Sequence, residues 1–162
     1  MKKLLYLFLT VLIVACSSDD DGNQAILGCT DPQAVNYNTD AAEDDGTCQF
    51  SIIGDWTVTS YTLSDGTNVL ATVDYINYTL NSDNSYFQYI GVSGDDIVLT
   101  GTYTIGGSNN TTGSNNSTFS FYDVSGELIS VSTIASISST TLELTFNVPD
   151  STLTANIRLV RL

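Results

Sequence analysis

Histidine is absent from this chain, and basic residues nearly so: Lys2, Lys3, Arg158 and Arg161 stand against 18 acids, a formal net charge of −14. The first absence leaves no serine with an imidazole base and no imidazole for a zinc site. The second removes nucleic acid as a partner, because affinity for a phosphate backbone rests on clustered Lys and Arg. Only a pair of carboxylates is left for acid–base work, as in glycosidases. Glu127 and Glu143 fall on strand-like runs with outward or edge parity, and nearly all aspartates fall in turn signals. The sequence therefore predicts a protein that is not an enzyme.

Cysteine is also scarce, with Cys16, Cys29 and Cys48 alone. Ahead of Cys16, Lys2 and Lys3 precede an apolar run from Leu4 to Val14. That run falls short of the roughly 20 residues a membrane span requires but suits the core of a secretory signal peptide. Ile13-Val14-Ala15-Cys16 resembles a bacterial lipobox. The resemblance implies loss of residues 1–15, acylation of Cys16 by palmitate-type chains and attachment to a membrane through lipid. Without the signal the chain has two arginines against 18 acids, or −16, so anionic headgroups repel it and attachment rests on acyl chains, two of which anchor stably. Residues 16–27 carry Ser17-Ser18-Asp19-Asp20-Asp21 and read as a solvated tether. An acidic run behind a lipidated cysteine also resembles the surface-export signal of Bacteroidetes-type lipoproteins, which implies an outer-membrane protein facing outward.

Residues 28–49 hold the most specific motif, GCTDPQAVNYNTDAAEDDGTC from Gly28 to Cys48. It resembles a short module of secreted and surface proteins in the same bacteria. With Cys16 acylated, Cys29 and Cys48 remain as a pair that brackets the motif in an oxidising compartment. A bridge between them closes a loop worth about 3 kcal/mol on the chain-entropy argument. Inside it Asp31, Asn36, Asn38, Asp40, Asp44 and Asp45 supply hard oxygen donors of the type calcium prefers. Ala41 stands where an EF-hand requires its turn glycine. Two readings stay open here, a calcium loop and a solvated acidic turn.

From residue 50 to 162 the chain is rich in Thr, Val, Ile, Tyr and Phe, punctuated by Ser-Asp-Gly, Asn-Ser-Asp-Asn and Pro-Asp turn signals. Period-two alternation predicts eight strands: Trp56 to Leu63, Tyr75 to Leu80, Tyr86 to Val92, Ile97 to Ile105, Thr118 to Val124, Glu127 to Ile137, Thr141 to Val148 and Leu153 to Leu162. The fold class expected is all-β, an eight-stranded antiparallel up-and-down barrel, with a sandwich as the alternative. The polar stretch Gly106 to Ser117 reads as a flexible excursion.

Gly54-Asp55-Trp56 at the head of the first strand, with a basic last strand, resembles the lipocalin-like domains of small bacterial lipoproteins. The resemblance implies that Trp56 sits at the closed end of the barrel under an arginine. Parity along Leu153, Ala155, Ile157 and Leu159 selects Arg161 over Arg158, by cation–π stacking. It also implies a small lipophilic ligand in the lumen. Shared strand parities nominate Leu99, Tyr103, Ile129, Val131, Leu144, Phe146 and Ile157 as lining residues. Two further readings fit the same residues: a surface or partner-binding module with a filled core, and a carbohydrate-binding sandwich presenting Tyr86, Tyr89 and Tyr122.

Overall fold

The computed structural model describes residues 25–107 and 110–162. The signal peptide, Cys16 and most of the tether lie outside the described residues. Twelve strands run in chain order: β1 (Leu27–Gly28), β2 (Glu43–Asp44), β3 (Phe50–Ser51), β4 (Gly54–Leu63), β5 (Tyr75–Leu80), β6 (Ser85–Val92), β7 (Asp95–Ile105), β8 (Thr112–Gly113), β9 (Thr118–Asp123), β10 (Leu128–Ile137), β11 (Thr141–Asn147) and β12 (Thr154–Arg161). Eight of them close an antiparallel barrel in the order β4, β5, β6, β7, β9, β10, β11, β12, with β12 returning to β4. Sequence neighbours are spatial neighbours throughout, the up-and-down order that short turns dictate. Closure leaves no sandwich, and with it falls the carbohydrate-binding face: Tyr86 points inward and is buried.

Residues 28–49 form a small segment stapled by a Cys29–Cys48 disulfide over a separation of 19 residues. β1 and β2 pair in parallel across it. Its inner side, Cys29 and Ala34, joins the same core cluster as Phe50 and Ile52 at one end of the barrel. That end is packed solid. Trp56, Leu80, Tyr103, Phe119, Ile134 and Leu142 are all but inaccessible there, with the Tyr103 and Phe119 rings edge to face at 5.7 Å.

Of the Gly106 to Ser117 stretch, the part from Asn110 to Ser117 is not an excursion. Its β8 pairs with β3, Thr111 accepts from the Ile52 N–H at 3.0 Å, and Ser117 from the Ile134 N–H at 2.8 Å. Asn115 accepts from the Ile137 N–H at 3.1 Å. Polar side chains and main chain here act as a cover stitched across the closed end, satisfying backbone groups that a buried barrel floor otherwise leaves unpaired.

The other end opens because three seams stop pairing halfway. β4 and β5 pair only from Gly54↔Leu80 to Thr57↔Asn77, β7 and β9 only from Gly101↔Asp123 to Ile105↔Phe119, and β10 and β11 only from Thr133↔Thr145 to Ile137↔Leu142. The β11–β12, β12–β4, β5–β6 and β6–β7 pairings run nearly the full strand, and β9 pairs with β10 over Leu128 to Thr133. The open half thus divides into three leaves: β11–β12–β4, β5–β6–β7 and β9–β10. Residues 64–74, with a 3-10 turn at Val69–Thr72, cover the first seam, where Leu70 and Val73 pack against the core.

Candidate functional site

Above the packed floor lies a lumen of about 210 Å³. Each leaf contributes to its wall. Tyr61 comes from β4, Tyr78 from β5, Gln88 from β6, Phe121 from β9, and Phe146 and Ile157 from β11 and β12. Aromatic contacts hold the wall: Tyr61 meets Phe146 at 6.2 Å, Tyr78 meets Phe121 at 5.8 Å, and Tyr86 meets Phe121 edge-on at 4.9 Å. The polar fixtures are few. Gln88 Nε2 donates to the Tyr78 hydroxyl at 2.8 Å, and Ser130 and Ser132 complete the β10 side. Burial pushes the Tyr78 hydroxyl well above its ordinary range, with smaller effects from Tyr61 and Tyr86. Burial raises Tyr61 as well. Among the described residues no charged side chain lines the lumen.

Of the residues nominated from the sequence, Leu99, Ile129, Leu144, Phe146 and Ile157 line this space. Tyr103 does not: it is fully buried in the floor, where its hydroxyl donates to the Asn81 carbonyl at 2.7 Å. Val131 is a correction. It is 47% exposed on the outer face, while Ser132 beside it is buried. The reason is volume. In β10 the positions opposite Phe121 and Phe119 are Ser130 and Ser132, and two large rings entering a narrow barrel leave room only for small partners across the ladder. A register shift between Leu128 and Ser130 and another between Ile134 and Ser136 allow this. Strict alternation cannot anticipate either.

Sequence reasoning also passes over Tyr61, Tyr78, Gln88 and Phe121. Tyr78 shares parity with Ile76 and Leu80 and is open to detection. Tyr61 is not, because the β12–β4 register shifts between Arg158 and Leu159 and carries the inward positions from Trp56 and Val58 to Tyr61.

The closing pair stands where parity puts it. Arg161 lies over the Trp56 ring at 4.3 Å, and its fork donates to the carbonyls of Ser139 and Ser51, both at 2.7 Å, and of Ile53. Trp56 Nε1 donates to the Ile52 carbonyl at 2.8 Å. Arg158 is instead half-exposed and pairs with Glu143 at 2.8 Å.

The chain matches no family model, no curated protein and no solved structure.

The acidic segment does not gather its donors. Asp31 Oδ1 accepts from the Gln33 N–H at 2.8 Å, Asn38 Oδ1 from Asp40 at 3.1 Å, Asp44 Oδ1 from Gly46 at 2.9 Å and Asp45 Oδ1 from Thr47 at 3.0 Å. Asn36 Oδ1 accepts from the Gln49 N–H at 2.8 Å. Asp31, Asn38, Asp44 and Asp45 each cap their own turn, the habit of short polar side chains, while Asn36 ties the segment to Thr47 and Gln49, and among the described residues no three carboxylates converge on one point. Asp40 shows the same dispersal, sitting exposed at a turn.

Proposed function

We propose that the chain is a membrane-anchored, non-catalytic binding protein whose barrel takes a small apolar ligand through its open end. One observation carries this reading: the barrel is filled on one side of its waist and hollow on the other. The cavity is somewhat larger than the roughly 150 Å³ that holds a benzene ring. It is smaller than the roughly 300 Å³ or more of drug-sized sites. Aromatic walls with a single amide–phenol pair suit one planar ring or a short branched chain, oriented by one hydrogen bond. The lipobox-like Ile13-Val14-Ala15-Cys16 supports the anchor. Because the chain enters the barrel at its closed end through β3, an anchor upstream of Ile26 leaves the open end unobstructed. The acidic run behind Cys16 supports the outer face of the outer membrane.

The test is titration with benzene, indole and a short fatty acid, followed by side-chain NMR shifts of Phe146 and Ile157. Saturable binding of one of them is expected. Leu99→Trp, which plugs the lumen from its half-exposed rim, should abolish it without loss of stability. Phe146→Ala should cost less than the roughly 3 to 5 kcal/mol of a packed phenylalanine, whereas Phe119→Ala in the floor should cost that full amount. Equal large losses at both sites, with no saturable shift, would mean a filled core and sink the ligand. Anchoring is checked separately by mass spectrometry of the mature amino terminus. Cys16 should carry acyl chains, and Cys16→Ser should release the protein from membranes.

A further inference from the structure

The seam between β10 and β11 presents a second opening, on the side of the barrel. Leu128 to Ser132 pair with β9 on one side and, among the described residues, with no strand on the other. Phe146 and Asn147 pair with β12 alone. Between these two free edges runs a cleft of about 700 Å³, lined by Leu128, Ile129, Val131, Thr133, Phe146 and Pro149 among others. Leu128, Ile129 and Val131 are 51%, 53% and 47% exposed, an apolar row beside unpaired main chain.

Two kinds of group therefore face the cleft together, and the occupant has to satisfy both. An acyl chain covers the apolar row but leaves the peptide N–H and C=O groups of both edges without partners. An extended peptide covers the row with alternate side chains and offers donors and acceptors at the strand's own spacing of about 3.3 Å per residue. Charge narrows the choice further. The two turns that frame the mouth of the cleft carry Asp123, Glu127 and Asp150 and no Lys or Arg. Arg158, the nearest base on the adjoining strand, is paired with Glu143. A second copy brings the same acids against these and, with the signal removed, a net −16 against −16, which disfavours edge-to-edge self-pairing.

We propose that the β10–β11 cleft is a receptor for an extended, basic peptide segment of a partner protein, which adds to the free edge of β10 as an extra strand. Its inward side chains meet Ile129 and Phe146, and its flanking lysines or arginines meet Glu127 and Asp150. The site is distinct from the lumen, though Ile129, Ser130 and Phe146 belong to both walls. An inserted strand consequently shuts the side of the lumen.

Isotope-labelled full-length protein in detergent, titrated with a capped peptide of alternating lysine and valine, decides the matter. Expected are shifts and slowed exchange of the Leu128 to Ser132 and Phe146 to Asn147 amides. Affinity should fall about tenfold or more when alternate peptide nitrogens are methylated, since that removes one edge of main-chain bonding while keeping side chains and charge. Glu127→Gln with Asp150→Asn, both on exposed turns, should weaken binding about five- to tenfold and flatten its salt dependence. Equal affinity of the methylated peptide overturns the proposal, as do shifts confined to the lumen. Protection of the same amides by phosphatidylcholine vesicles alone makes the cleft a lipid face and overturns it too. Protection that grows with protein concentration alone makes it a self-association edge and likewise overturns the peptide receptor.

Discussion

Arg161 is the residue on which barrel closure converges. Its guanidinium covers Trp56 and ties three carbonyls from two different segments, Ser51 and Ile53 before β4 and Ser139 between β10 and β11. A lysine keeps the charge but loses both the planar stack and the fork. Arg161→Lys should therefore lower stability by about 2 to 3 kcal/mol, a sum of lost charge-assisted bonds, measured by urea unfolding. Tyr103 carries a pH signature. Its hydroxyl is pushed up to about 12, first by burial and second by the charge of Asp83, and Tyr78 is pushed up by burial as well. A folded value above the unfolded one, about 10, gives stability that is complete below about pH 10 and lost as pH rises through the folded values. The urea midpoint should fall above about pH 10, and Tyr78→Phe with Tyr103→Phe should flatten that fall. The Trp56–Arg161 pair is legible in the sequence because parity along β12 runs unbroken to its end. Val131 is not, because what decides its side is the bulk of Phe119 and Phe121 on another strand, which no reading of β10 by itself contains.

At the level of elements, all eight barrel strands are legible to within a few residues, since Thr, Val, Ile and aromatic runs between turn residues define them locally. Register shifts are not. They fall at Leu128/Ser130 and Ile134/Ser136 in β10 and at Arg158/Leu159 in β12, and the close approach at Gly101, where the register is unbroken, is equally hidden. A methyl group on Gly101 would sit 1.9 Å from the Tyr122 carbonyl and 3.0 Å from the Tyr86 ring. At this residue β7 parts from β9, leaving Asp95 to Thr100 with β6 alone. Gly101→Ala should force those two strands apart and cost roughly 3 kcal/mol or more. The loss should appear first as fast amide exchange along β9. The cover formed by Asn110 to Ser117 is illegible for a different reason. Its composition is that of a linker, and its order comes from hydrogen bonds to β3, β10, the turn after β3 and Asn84, and from Gly113 set against Ile134.

Across the whole molecule, chemistry is sorted by end. The stapled segment, the Trp56–Arg161 pair and the polar cover all crowd the closed end, while Asp65, Asp74, Asp95, Asp96, Asp123, Glu127 and Asp150 occupy the open-end turns and strand tips, with no basic residue among the described residues there. The closed end is acidic too, with Asp31, Asp40, Glu43, Asp44 and Asp45 in the stapled segment, so the field attracts a cation-bearing partner to either end and what sets the open end apart is not charge. The same end carries exposed Ile97, Val98, Leu99, Leu128, Ile129 and Val131 on either side of the β9–β10 leaf. An apolar belt rimmed with charge is the usual form of an interaction surface. Closure itself has a consequence for biogenesis. The strand that completes the ring is the last one, and its partners Val58, Thr57 and Trp56 belong to the first, so no partial chain can form the barrel. Pairings this distant in sequence also form slowly. On the proposal that the chain is exported, it stays threadable until its final residues are released, and the ring shuts only after transport is complete.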